Sequence, residues 1–110
     1  VIDRAEQRAE ALKTANARRL QAAELRAEIK AAGRRDGAIE AARVVREAES
    51  SMTFFSLVKS VPWIGETQAR RMLADANIRE GRRVNDDRID GRRRELLAGA
   101  LMARATRPRR

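Results

Sequence analysis

The sequence predicts an all-α protein, a long N-terminal helix followed by a small helical core that contains a helical hairpin. Three observations predict it. Residues 4–32 contain neither Pro nor Gly and are dominated by Ala, Arg, Glu and Leu, all strong helix formers. Three later segments repeat large apolar residues at helical spacing. No segment alternates with the two-residue period of a strand.

The elements follow in order. Asp3-Arg4-Ala5-Glu6 is a capping-box pattern, and the helix it opens runs to about Ala32, roughly 43 Å at ~1.5 Å per residue. Gly33 to Gly37 ends it and starts a shorter helix over 38–49, with Ile39, Ala42, Val44, Val45 and Ala48 as its apolar set. Phe54, Leu57, Val58 and Val61 stand at i, i+3, i+4 and i+7, and Pro62 stops that helix. Ala69, Met72, Leu73 and Ala76 repeat the spacing in a helix over 66–77. Residues 78–91, rich in Gly, Asn and Asp, read as a loop. A fifth helix, 91–104, turns Leu96, Leu97, Ala100 and Leu101 inward. The organisation is a polarised helix over 1–33, a core over 37–104 and a disordered basic tail over 105–110.

Composition shows where the core lies. Of the apolar residues 21 are Ala, which leaves 26 larger side chains. Residues 1–38 hold only six of these, and residues 39–102 hold the rest. One small core is therefore expected in the second part of the 110-residue chain, behind a poorly buried helix.

Composition also excludes chemistry. With no Cys and no His there is no zinc finger, no disulfide and no imidazole acid or base, and no metal or cofactor is expected. No apolar run approaches a membrane span, and Val1-Ile2-Asp3-Arg4 lacks the apolar stretch of a signal peptide. The expectation is a soluble, cytoplasmic protein.

Charge is the strongest global signal. Twenty-five basic residues, 22 of them Arg, oppose 16 acidic ones for a net +9. The first fifty residues carry 11 basic and 9 acidic side chains, the remainder 14 and 7. A pI near 11.5 points to a polyanionic partner, nucleic acid before an anionic membrane surface. The preference for Arg suits phosphate forks and a GC-rich genome equally.

The first helix is electrically two-sided. At 100° per residue, Arg4, Arg8, Arg19, Arg26 and Lys30 fall within an arc of about 80°. Asp3, Glu6, Glu10, Glu24 and Glu28 occupy about 60° on the opposite side, while Lys13 and Arg18 lie outside the basic arc. Arg4/Arg8, Glu6/Glu10, Glu24/Glu28 and Arg26/Lys30 are like-charged i,i+4 pairs, each costing a few tenths of a kcal/mol. The helix reads either as a charge-rich solvated helix or coiled coil, although a solvated helix would interleave its signs and no heptad of large apolar residues drives pairing, or as a rail whose basic side, Arg8, Arg19 and Arg26 above all, follows a phosphate backbone.

Helix, Val61-Pro62-Trp63-Ile64-Gly65, helix is a turn suited to gripping a phosphate. Pro62 ends one helix, Ile64 pins the turn to the core and Gly65 presents no side chain. The free amides around Glu66, Thr67 and Gln68 then point outward as anion ligands. Trp63, the only Trp, reads either as a core plug or as a wedge against nucleic acid. Arg82 and Arg83 in the following loop supply guanidinium forks for phosphates or a minor groove, and Arg88, Arg92, Arg93 and Arg94 follow them, of which Arg88, Arg92 and Arg93 are further candidate contacts.

Residues 52–97 resemble the actinobacterial integration host factors, small nucleoid proteins built around a helix-two-turns-helix motif. The likeness rests on Met52-Thr53-Phe54-Phe55-Ser56-Leu57-Val58-Lys59-Ser60-Val61-Pro62-Trp63-Ile64-Gly65, on Ala69 and the helix after it, on Arg82-Arg83-Val84, and on the Arg-rich last helix with Leu96-Leu97. The resemblance implies sequence-tolerant binding of duplex DNA through backbone and minor groove, DNA bending or compaction, and a recombinase as companion in a shared DNA complex. It also implies nucleoid localisation. Glu66 stands where that family has Lys, and Asn85-Asp86-Asp87-Arg88-Ile89-Asp90-Gly91 replaces an Arg-Gly-Leu-Gly stretch, which suits a diverged or phage-borne member.

Other readings compete with this one. A ribosomal protein of the small-subunit head shares the apolar-Gly turn and an Arg-rich tail, which makes an RNA binder the runner-up. An interaction module acting on a host DNA-binding protein would use the two-sided helix against an acidic partner. Catalysis is not expected: the lyase chemistry of hairpin-bearing glycosylases needs a poised amine, and the lysines are only Lys13, Lys30 and Lys59. The expectation is an architectural duplex-DNA binder, monomeric, with no small-molecule substrate.

Overall fold

The computed structural model describes residues 3–106. They form four helices, α1 (Arg4–Glu47), α2 (Phe54–Ser60), α3 (Glu66–Asp75) and α4 (Gly91–Thr106). Among the described residues no strand forms, and the one extended pairing is an antiparallel bridge between Thr53 and Arg83. The all-α expectation holds. Ala105 and Thr106, expected in a basic tail, are instead the last residues of α4; residues 107–110, the rest of that expected tail, lie outside the described residues.

Asp3 caps α1 as expected, its Oδ1 accepting from the Ala5 N–H at 3.3 Å. The expected break at Gly33 is a bend within one element, so five expected helices become four. Gly33 has φ 91° and ψ −178°, a conformation essentially restricted to glycine, and helical backbone resumes at once at Arg34. Residues 34–37, expected as a linker, are helical. The bend folds the two limbs of α1 toward each other. A Cβ on Gly37 would stand 2.6 Å from the Ile29 carbonyl oxygen and 3.4 Å from both Ile29 Cγ2 and Pro62 Cδ. Glycine at 37 is therefore what lets the second limb close against the end of the first.

The second limb is the spine of the core. Ala38, Ala41, Ala42, Val44 and Val45 are buried, and the small alanines allow close approach to α4, its most extensive neighbour. Ile39, expected inward, is 38% exposed. The predicted apolar sets of α2 and α3 are buried as spaced: Phe54, Leu57, Val58 and Val61, then Ala69, Met72, Leu73 and Ala76. Between α3 and α4 the loop adds Ile78, Val84 and Ile89 to the core. It is tied to the chain before α2 by Phe54 N–H to Arg82 O and Val84 N–H to Met52 O, each 2.9 Å.

The register of α4 differs from expectation. Leu97, Ala98, Leu101 and Ala105 are buried together with Arg94, whereas Leu96 is 51% exposed. The reason is Arg94. Its guanidinium donates to the carbonyls of Ile89, Val45, Val84 and Asp86 at 2.6–3.2 Å and lies 5.7 Å from the centre of the Phe54 ring. One arginine thus satisfies carbonyls from α1 and from the loop, and it rotates α4 so that Leu96 faces out. Arg46 on α1 adds a surface clamp to Glu95 on α4 at 2.8 Å.

The first limb of α1 is barely buried, as its composition requires. Ala22 and Ile29 are buried and Leu25 packs partly against the core, but Leu12 and Leu20 remain more than 60% exposed. It forms an arm laid beside the core. With the core it gives an elongated body of 61 × 29 × 22 Å.

Candidate nucleic-acid interface

The arm and the core do not close on each other fully. A cleft of about 690 Å³ separates them, lined on the arm by Ala15, Arg18, Arg19, Ala22 and Arg26. Its other wall is Ser51, Met52, Thr53, Ser56, Arg83 and Asn85. An adjoining cleft of about 550 Å³ continues along α2, between Arg26, Ala27 and Lys30 on one side and Ser56, Lys59 and Ser60 on the other. The two share Arg26 and Ser56 and form one continuous groove.

Six cations line this groove, Arg18, Arg19, Arg26, Lys30, Lys59 and Arg83, and no carboxylate does. The two-sided charge pattern of α1 is the cause. Ala22 and Ile29, the buried positions that hold the arm on the core, lie at the edge of the basic arc, so burying them turns the basic side over the groove. The glutamates are left on the opposite side, facing solvent. Lys59 lies at the groove's end with its Nζ 5.7 Å from the centre of the Phe55 ring.

Ion pairing divides the arginines into two classes. Among the described residues none of the six groove cations forms an ion pair with a carboxylate, and Arg83 Nη1 instead donates to the Ser51 carbonyl at 2.6 Å. Elsewhere Arg43, Arg46, Arg70, Arg82, Arg88 and Arg93 hold carboxylates. Arg43 gathers Glu40, Glu47 and Glu49, and its hydrogen bonds hold the Glu40 and Glu49 carboxyls below their usual range. Asp86 takes Arg82 at 3.3 Å and Arg88 at 3.2 Å. The backbone N–H of Arg88, and then its guanidinium, hold that carboxyl low. Asp90 does the same for Arg93, chiefly through the Arg93 backbone N–H.

The expected site residues therefore separate. Arg19, Arg26 and Arg83 meet in the groove. Arg82, beside Arg83 in sequence, points the other way to Asp86, because the bridge to Thr53 makes this stretch extended and alternates its side chains. Arg88, Arg92 and Arg93 lie apart, the last two in a separate recess with Ala76, Asn77, Asp90 and Leu96. Arg8 is exposed farther out on the arm. Arg18 and Lys59 join the groove although sequence spacing did not group them, and Lys30, read on the basic arc but not among the site residues, joins it too. Arg18 lies outside the basic arc, and Lys59 belongs to another helix.

The turn from Pro62 to Gly65 takes the expected form. Ile64 is buried and donates its N–H to the Val61 carbonyl at 3.2 Å. Gly65 caps α3 with no side-chain hydrogen bond and with open space where a Cβ would be, leaving the first-turn amides of Glu66, Thr67 and Gln68 accessible. Glu66 does not reach back over them. Its carboxylate is drawn one turn along α3 to Arg70, which also holds Glu80 at 3.0 Å. Trp63 is not a core plug: it is 73% exposed and has φ 74°, a left-handed conformation that costs a bulky residue about 1–2 kcal/mol.

Among the described residues no helix is long and apolar enough to cross a membrane. Compared with models of known families, with curated proteins and with solved structures, the chain matches none.

Proposed function

We propose that this chain binds duplex DNA through its phosphate backbone with little sequence preference, acting in the nucleoid as an architectural protein that bends or compacts DNA and assists recombination. The observation that carries the reading is the groove lined by six cations and no carboxylate. Arg43, Arg46, Arg70, Arg82, Arg88 and Arg93 each hold a carboxylate, whereas these six cations stand together without one and repel one another unless a polyanion neutralises them. The resemblance to the actinobacterial integration host factors points the same way, and the first-turn amides of Glu66, Thr67 and Gln68 offer a second backbone contact.

Six neutralised phosphates correspond to a slope of log K against log salt of about −5, hence a loss of on the order of 10³-fold in affinity between 50 and 200 mM salt. Replacing Arg19, Arg26 and Lys59 by Gln removes three contacts and flattens the slope by about 2.7. Titration of duplex DNA, single-stranded DNA and folded RNA by the parent and this variant measures both. An unchanged slope would place the interface elsewhere. Equal or tighter binding of RNA at matched salt would favour the ribosomal-type reading. No binding of any nucleic acid in dilute buffer would leave the groove to an acidic protein partner.

A further inference from the structure

Trp63 carries the one indole of the chain on the surface of the turn between α2 and α3. Among the described residues it is the most exposed large hydrophobic side chain, at 73%, and it is held at φ 74°, where a glycine would be free of strain. Its neighbours fix it in place. Pro62 abuts the Gly37 corner beside Ile29, and Ile64 is anchored in the core. The ring is therefore carried outward on a turn clamped on both sides. That corner is also the end of the cationic groove: Lys30 follows Ile29 directly, and Lys59 and Ser60 line the groove just before Pro62.

We infer that Trp63 is a stacking wedge that enters the base stack of DNA whose backbone lies in the groove, and that it makes the protein select duplexes that are already unstacked. The inference rests on the duplex-DNA reading above. Intact duplex must be opened at one step before the indole can enter, which costs free energy; an abasic site or a mismatch has lost that stacking beforehand. An indole stacked on a base contributes about 5- to 150-fold in affinity, and every base offers it a face, so the preference is for structure and not for sequence. The cations fix where the strand lies, and the clamped turn fixes where the ring enters.

The chain contains one Trp, so its own fluorescence reports the contact. Duplexes of one sequence, intact or with a central abasic site, are titrated against the parent and against Trp63→Gly and Trp63→Phe. The parent is expected to bind the abasic duplex at least ~10-fold tighter than the intact one, with quenched emission and reduced access to acrylamide. Trp63→Gly, which places at this backbone the residue that suits it, is expected to bind both duplexes equally and with the parent's salt slope. Trp63→Phe keeps part of the preference. Binding of both duplexes with unchanged Trp63 emission and quencher access overturns the wedge while leaving the groove intact, as does a preference that survives in Trp63→Gly. Failure to bind either duplex in dilute buffer overturns the DNA reading itself.

Discussion

Replacing Gly37 by Ala sets two effects of opposite sign against each other. In a helix the change to Ala is favourable by about 1 kcal/mol, because glycine pays more backbone entropy. Against this, the new methyl would lie 2.6 Å from the Ile29 carbonyl oxygen, a backbone atom that cannot rotate away. Ordinary contact requires a retreat of about 0.8 Å, and overpacking of this kind costs about 1–3 kcal/mol. The net expectation is destabilisation by about 1 kcal/mol, a fall in Tm of about 4 °C. The displacement is levered. Ile29 lies about 6 Å from the Gly33 bend and Ala15 about 27 Å, so the arm swings by about 3–4 Å where it faces Ser51 across the groove. The chain has no Cys, so spin labels at Ala15→Cys and Ser51→Cys read this distance directly. Widening by about 3 Å with weaker DNA binding and a lower Tm is the expected result. A raised Tm with an unchanged distance would show that the limbs are not held at this corner, and the account of the groove would fail with it.

Three further expectations can be checked with standard measurements. Arg94→Met leaves carbonyls of Val45, Val84, Asp86 and Ile89 without their shared donor and should cost about 2–5 kcal/mol in urea unfolding; a loss below ~0.5 kcal/mol would refute the structural role. Arg83→Ala should weaken binding to all DNA sequences alike and more than Arg82→Ala, whose guanidinium is engaged by Asp86; the reverse order in a gel shift would contradict the division between the two. Asp86, Asp90, Glu40, Glu49 and Glu95 all have lowered carboxyl pKa values, so their contribution is present above the ordinary carboxylate range and is lost as pH falls through the folded values. Tm should therefore be level from about pH 5 upward and fall below about pH 4, and a rise toward acid would refute the sign.

The helical core was legible because its information is local. Phe54, Leu57, Val58 and Val61 announce a buried face by spacing alone, and Pro62 and Gly65 mark the turn; Gly33 reads as a helix end, where the chain only bends. Errors arose where a distant partner decided the outcome. Leu96 looks inward on α4 until Arg94 is seen to hold carbonyls from α1 and the loop, and no sequence rule expects an arginine in a core. Ile39 yields its place to alanines because α4 packs too closely for a larger side chain. At the candidate site the basic side of α1 was readable, whereas Lys59 and Arg83 as its opposite wall were not.

The sequence by itself determined the helices, the thin apolar content of the arm and the segregation of charge around it, since each depends on residues within a turn or two of one another. Only the tertiary structure decided which arginines find carboxylates and which are left facing one another across a groove. That depends on distances between Arg26 and Lys59, or Arg83 and Arg18, that no local periodicity encodes. The bend at Gly33 and the close contact at Gly37 set those distances, and they turn a charged stripe into one wall of a groove.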